Sequence, residues 1–217
     1  MPEFKLLLRT YPGEKNIIKR EILKHSIICF KKFGISNTSM SKIQKRSKYS
    51  LRTIYNHCKT KEEIISQLVL AAMHDLHQYR QKYLLDACNF EECVYALVLS
   101  YLDWIEEHPH FSQILLSETY EIYSGQHSDK IKSLRNEYKQ KIFKWVSLPE
   151  NIKGFNSNIP EELYPSIING IPEHYGKYWH LNHVKKSPKA YKKHIASIVW
   201  TVILNYYCEN SSKSIYV

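Results

Sequence analysis

Between Lys15 and Phe33, apolar or small residues recur at Ile22, Ser26, Cys29, Phe30 and Phe33, with Lys19, Arg20, Lys24, Lys31 and Lys32 among them. Spacings of four, three, one and three put the first set on one face of a helix and the lysines on its wet side. Gly34 is expected to end that helix in a left-handed C-terminal position. Thr38 then reads as the N-cap of a short second helix that buries Met40 and Ile43, with a turn at about Ser47 to Tyr49. Ser50 caps a third helix, Leu51 to about His57, with Ile54 inward and Arg52, Thr53 and Asn56 outward. Thr60 and Glu63 form a capping box for a long fourth helix marked by Ile64, Ile65, Leu68, Ala72, Leu76 and Tyr79.

Helical patterning continues to the end of the chain, with no alternating strand pattern. Asn89 with Glu92 opens a helix through Val94, Leu97, Tyr101, Trp104 and Ile105 that stops at His108-Pro109. Further helices are expected at about 110–123, 129–147, 161–182 and 188–208, the last with Ser187 as cap and Pro188 at its first position. Loops fall at Ser124 to Ser128 and at Leu148 to Pro160, the second long enough to be mobile or to gate a pocket. Pro165, Gly170 and Pro172 predict a kink or break in the helix that contains them. The expected fold is all-α: an N-terminal helix-turn-helix domain of three helices with an arm, residues 1–60, and a larger helical ligand-binding and dimerisation domain, residues 61–217.

Charge separates the same two parts. Residues 1–66 hold 15 Lys and Arg against 5 Asp and Glu, whereas residues 67–217 hold 16 of each kind. A localised basic face suits the phosphates of a duplex and predicts salt-dependent binding. Residues 1–14, with Lys5 and Arg9, are either an arm for an adjacent minor groove or a disordered terminus.

The run from Ile22 to Ile65 resembles the DNA-binding domain of TetR-family transcriptional regulators. The resemblance rests on Phe30 and Gly34, Thr38, Ile43, Ser50, Thr53, Ile54, Tyr55, His57, and Lys61 with Glu62 and Glu63, with spacing kept across more than forty residues. Departures are Gln44 for the usual alanine, Ser47 and Lys48 for the usual Ala-Gly turn, and Cys58 for the usual aromatic. A lysine at positive φ there costs about 1–2 kcal/mol relative to glycine. The resemblance implies that the third helix enters the major groove. Leu51, Arg52, Thr53 and Asn56 would reach base edges, and Tyr55, His57 and Lys61 would reach phosphates, with Thr38, Lys48 and Ser50 completing the DNA-binding set. Arg52 suits either two-point recognition of guanine or a plain phosphate contact. Tyr55 can instead pack between the first and third helices.

The last two helices carry more apolar surface than one face needs, which implies pairing with a second copy in a four-helix interface or, alternatively, filling of the protomer core. Tyr101, Trp104, Phe111, Tyr120, Trp145 and Trp179 are candidates for lining an effector pocket. Cys29, Cys58, Cys88, Cys93 and Cys208 have no metal-site spacing and read as free thiols of a reducing cytosol, with Cys58 placed where oxidation could be sensed. His174, His180 and His183 could converge on a metal only if the kinked helix aligned them, and no metal or cofactor is expected. No phosphate-binding glycine loop, zincin pattern or nucleophile elbow occurs, so no enzyme is expected. Ile195 to Leu204 is about half a membrane span and Leu6 to Leu8 is too short for a signal peptide, so a cytoplasmic protein is expected. The resulting expectation is a homodimeric repressor on a palindromic operator in double-stranded DNA, released by a small-molecule effector. The alternative is a DNA-binding protein of the same shape that acts through a protein partner or on chromosome organisation.

Overall fold

A computed structural model describes residues 4–117, 128–182 and 186–206. They form ten α-helices: α1 Lys5–Thr10, α2 Ile17–Phe33, α3 Met40–Ser47, α4 Leu51–His57, α5 Lys61–Leu84, α6 Phe90–Glu107, α7 Pro109–Leu116, α8 Ser128–Val146, α9 Tyr164–Asn182 and α10 Pro188–Leu204. No strand occurs among the described residues, so the fold is all-α. No described helix is long and apolar enough to cross a membrane.

Side-chain caps fix where the helices begin. Ser50 Oγ accepts the Thr53 N–H at 3.0 Å, Thr60 Oγ1 that of Glu63 at 3.1 Å, and Asn89 Oδ1 that of Glu92 at 3.0 Å. The two glutamates reach back to the N–H groups of Lys59 and Cys88, both at 2.7 Å, one residue before each cap. At α3 the expected cap is corrected. Thr38 is buried and donates its hydroxyl to the Gly34 carbonyl at 2.7 Å, while Ser39 accepts from the Lys42 N–H. Gly34 does end α2, but at φ 79° and ψ 157°, an extended mirror-image conformation open only to glycine.

The head is a three-helix core in which Ile43 of α3 and Ile54 of α4 are fully buried in a cluster with Ile22, Leu23, Ile27 and Phe30 of α2. Helix α5, roughly 36 Å long at 1.5 Å per residue, carries the head onto the body. In the body, α6 is central: α5, α7, α9 and α10 all pack on it.

Other expectations change as well. The N-terminal arm is a helix: Leu6 and Leu7 are buried as α1 packs on α5, and the Tyr11 hydroxyl donates to the Gln67 carbonyl at 2.9 Å. Burial of two leucines, worth about 1.5–3 kcal/mol each, opposes a free arm. Helix α9 runs unbroken through Gly170 and Pro172, starting at Tyr164. A Cβ on its Gly176 would lie 2.7 Å from Ile105 Cδ1, so glycine here permits α9 to press onto α6. The loop after α8 is pinned. Asn156 donates to the carbonyls of Ile203 and Tyr206, each at 2.9 Å, Tyr164 donates to the Asn156 carbonyl at 2.7 Å, and Phe90 N–H bonds Lys153. Helix α7 ends at Leu116, short of the expected 123, and α10 ends at Leu204.

Candidate nucleic-acid interface and body cavity

The α3–α4 turn is closed by Lys48 at φ 61° and ψ 8°, the one non-glycine residue at positive φ among the described residues. Its N–H bonds the Gln44 carbonyl at 3.0 Å, satisfying an end-of-helix acceptor, and Tyr49 N–H meets Ser47 Oγ at 3.4 Å. The turn therefore keeps the geometry that a glycine would take, with a lysine in it.

Helix α4 buries Ile54 and presents the opposite side. Leu51, Arg52, Tyr55 and Asn56 are exposed, while Thr53 and His57 are half-buried. Tyr55 is 45 % exposed and so is not wedged between α2 and α4. The Thr53 hydroxyl pairs with that of Ser50 at 2.8 Å, so both belong to the cap. Lys45, Arg46 and Lys48 flank this face, and no carboxylate pairs with them or with Arg52 among the described residues. Lys42 donates to the Asn37 carbonyl at 2.7 Å and stands over the Phe33 ring at 4.7 Å.

Lys61 spans from the start of α5 to the carbonyls of Ile35 and Ser36 at 3.2 and 3.3 Å, which ties the α2–α3 connection to α5. An ammonium has three protons, so one remains for an anion. Thr38, inward-turned and buried, is removed from the exposed set. Cys58 is fully buried, with Sγ 3.8 Å from Gln67 Oε1, and burial pushes its thiol up to about 12. It is therefore protonated and shielded, the opposite of an oxidation sensor. Cys29 and Cys93 are likewise buried, and Cys88 is exposed.

In the body, a cavity of about 740 Å³ lies among α5, α6, α8 and α9. Of the six aromatics expected to line a pocket, Tyr101 does so. Trp104 and Phe111 are fully buried core, and the Trp104 indole donates to Asp75 at 2.9 Å. Trp145 and Trp179 pack against the core away from the cavity wall, and Tyr120 lies outside the described residues. The wall is instead built by Leu97, Ile142, Phe143 and Tyr164, with Arg80, His77 and Tyr138 as polar members. These were not legible because their partners come from four helices whose registers only the packed structure sets. His180 is hydrogen-bonded within the body. Its Nε2 pairs with Ser112 Oγ at 2.9 Å, burial lowers its pKa to about 4, and His183 lies outside the described residues. No cluster of metal-ligating side chains occurs among the described residues.

Residues 22–68 match the family model described as bacterial regulatory proteins, tetR family. The HTH-type transcriptional repressor NicS of Pseudomonas putida is 28 % identical over 114 residues, 52 % of this chain and 53 % of NicS; the chain thus matches about half the length of that relative. Among solved structures, the transcriptional regulator FadR of Bacillus subtilis in complex with stearoyl-CoA superposes with a TM-score of 0.68 at 16 % identity, covering 83 % of this chain and 97 % of that one. A putative TetR-family regulator of Syntrophomonas wolfei gives 0.68 at 19 % identity, with 91 % and 100 % covered. The ketosteroid regulator KstR2 of Mycobacterium tuberculosis gives 0.65 at 18 %, with 84 % and 93 % covered. At these identities the structural likeness speaks for the fold.

Proposed function

We propose that the chain, whose residues 22–68 match the tetR family of bacterial regulatory proteins, is a sequence-specific DNA-binding repressor of transcription, released from its operator by a small molecule bound in the body. The observation that carries this reading is the outer side of α4. Leu51, Arg52, Tyr55 and Asn56 are exposed beside three cations that have no acidic partner among the described residues. Such a face fits a major groove, with α4 reading bases and the turn cations taking phosphates. Lys61 and the half-buried His57 complete the phosphate contacts.

One head reads one half-site, so a palindromic operator needs two. Ile171 and Tyr178 of α9 and Ile198 and Val202 of α10 are apolar or aromatic yet exposed on the protomer, which supports a two-fold four-helix interface there. Residues 1–60 form the DNA-binding unit and residues 61–217 the effector and dimerisation unit, with α1 packed across the boundary onto α5. The cavity supports the effector role, as does the stearoyl-CoA complex of the FadR relative. An effector acts only through its difference in affinity for the DNA-spaced and released states. Acting on operators places the protein in the cytoplasm.

The test is selection of bound fragments from random duplex DNA by the purified protein under heparin competition. A palindromic motif with half-sites about 10 base pairs apart is expected. Recovery of unenriched DNA would defeat the proposal.

A further inference from the structure

Arg80 lines the body cavity but is only 7 % exposed, and no carboxylate pairs with it among the described residues. Its Nη2 donates to Asn169 Oδ1 at 2.7 Å and its guanidinium lies 5.1 Å from the centre of the Tyr101 ring. Its Nε is buried and has no hydrogen-bond partner among the described residues. The hydroxyl of Tyr138, another cavity residue, is buried and equally unpartnered among the described residues. A buried cation is costly unless an anion meets it, and guanidinium cannot escape by losing its proton. Two orphaned donors in one cavity mark the place for oxyanion acceptors.

The cavity is also polarised along its length. Phe90, Leu97 and Tyr101 all line it, and spacings of seven and eleven residues place them on one face of α6. At 1.5 Å per residue, that face runs about 16 Å from Tyr101 to Phe90. At the Tyr101 end stands Arg80, with His77 on the same helix. His77 stacks on Tyr138 of α8 at 3.8 Å between ring centres, and burial first, then the Arg80 charge, acts against protonation of its imidazole. At the Phe90 end the surface is aromatic: Phe90 meets Phe155 and Tyr164 edge-on at 5.2 and 5.5 Å, and Phe143 meets Tyr164 at 6.4 Å. The Arg80 end offers buried donors, whereas the Phe90 end is mainly ring faces and edges, with Lys139 Nζ 5.3 Å from the centre of the Phe143 ring.

We propose that the effector is an anionic amphiphile, whose oxyanion head is held by Arg80 and Tyr138 and whose apolar body extends along α6 to Phe90, Phe143 and Phe155. This deepens the effector reading of the body and rests on it. A head group that neutralises Arg80 removes the cost of the lone buried charge. An uncharged molecule of the same shape leaves that cost in place. The apolar length suits a chain of on the order of a dozen carbons for a 16 Å floor.

Calorimetry on the full-length protein without DNA tests this with dodecanoate, dodecyl phosphate and dodecanol, each below its micelle concentration. Dodecanoate or dodecyl phosphate is expected to bind, the better of the two identifying the head group as carboxylate or phosphate. Dodecanol is expected to bind about 10–100-fold more weakly, the loss of a charge-assisted contact. Arg80→Met, which keeps an apolar stem, is expected to weaken the anions by a similar factor and leave dodecanol unchanged. Dodecanol binding as tightly as the anions, or no binding by any of the three, would overturn the proposal on the wild-type protein alone, whatever the folding of the variant. Operator binding in the absence of amphiphile is measured separately, so failure here leaves the DNA-binding reading standing, and failure there leaves the ligand result standing.

Discussion

The indole N–H of Trp104 donates to Oδ2 of Asp75 at 2.9 Å with both side chains buried in the body. The same carboxylate pairs with Arg9 of α1, and His108 Nε2 lies 3.5 Å from it. One acidic group therefore joins the N-terminal helix, the connecting helix α5, the central helix α6 and the α6–α7 junction. Asp75→Ala would strand the indole donor and release Arg9. Because Arg9 is half exposed, the loss is mainly that of the buried acceptor of the indole, and a cost of about 1–3 kcal/mol is expected in denaturant unfolding. Asp75→Asn keeps an oxygen for Trp104 and is expected to cost clearly less. Equal losses would mean that packing, rather than the hydrogen bond and ion pair, sets the stability of this junction.

Arg52 and Tyr55 stand on one exposed side of α4, and the proposed function gives them different work. Arg52→Ala is expected to relax base preference at one position of each half-site, by about 1–3 kcal/mol of discrimination if the guanidinium reads a guanine. Tyr55→Phe, which removes only a hydroxyl, is expected to weaken binding to all sequences alike. With on the order of 8 phosphate contacts in the dimer, log K against log salt should slope near −7. An unchanged selected motif for Arg52→Ala would remove it from the base-reading set.

Lys48 sits at φ 61° in the turn between α3 and α4, where a side chain costs about 1–2 kcal/mol. Lys48→Gly relieves that strain but adds freedom to the unfolded chain, so a net gain of about 0.5–1 kcal/mol is expected. Lys48→Val is expected to destabilise, because β-branching makes this conformation harder still. Chemical denaturation reads both. A Gly variant less stable than the wild type would show that the lysine side chain makes a contact worth more than the strain.

The order of strong local signals explains what could be read without coordinates. Ser50, Thr60 and Asn89 cap as expected because each bond spans three residues and needs no distant partner. Thr38 and Ser39 are adjacent and chemically similar, and only the inward turn of Thr38 toward Gly34 decides between them. The α1 helix was hidden because six residues offer no period, and its stability comes from α5, more than fifty residues away. Pro172 does not break α9, because the local cost of its missing N–H is set against the close packing of Gly176 on Ile105 and Leu116. The cavity wall likewise depends on packing: Trp104 and Phe111 have the right chemistry, yet their registers send them into the core.

Ile198 and Val202 of α10 are 51 % and 44 % exposed on the protomer, one turn apart on one face. Charging that face should prevent pairing of two copies while leaving the protomer core, which uses Ile195, Val199 and Ile203, intact. Ile198→Glu with Val202→Glu is therefore expected to give a folded monomer by light scattering, with helical content unchanged. Palindrome binding should fall by at least tenfold, since each head then binds its half-site alone. A dimer that survives both charges would place the interface elsewhere.

Burial lowers His77 to about 3 and His180 to about 4, against an ordinary value of 6.5. In the unfolded chain both imidazoles take a proton as pH falls through 6.5, whereas the folded protein takes none until pH 4 or below. The unfolded state therefore binds more protons in that window, and stability falls with pH there. The contribution is complete above about pH 6.5 and is lost progressively toward pH 4 for His180 and pH 3 for His77. Melting temperature is expected to decline between pH 6.5 and 5, before most carboxylates titrate. His77→Phe keeps a ring for the stack on Tyr138, and His180→Asn keeps an acceptor for the Ser112 hydroxyl. Combining them is expected to flatten the decline. A slope unchanged in the double variant would assign acid sensitivity to other groups and show that these two imidazoles are reached by water more readily than their packing implies.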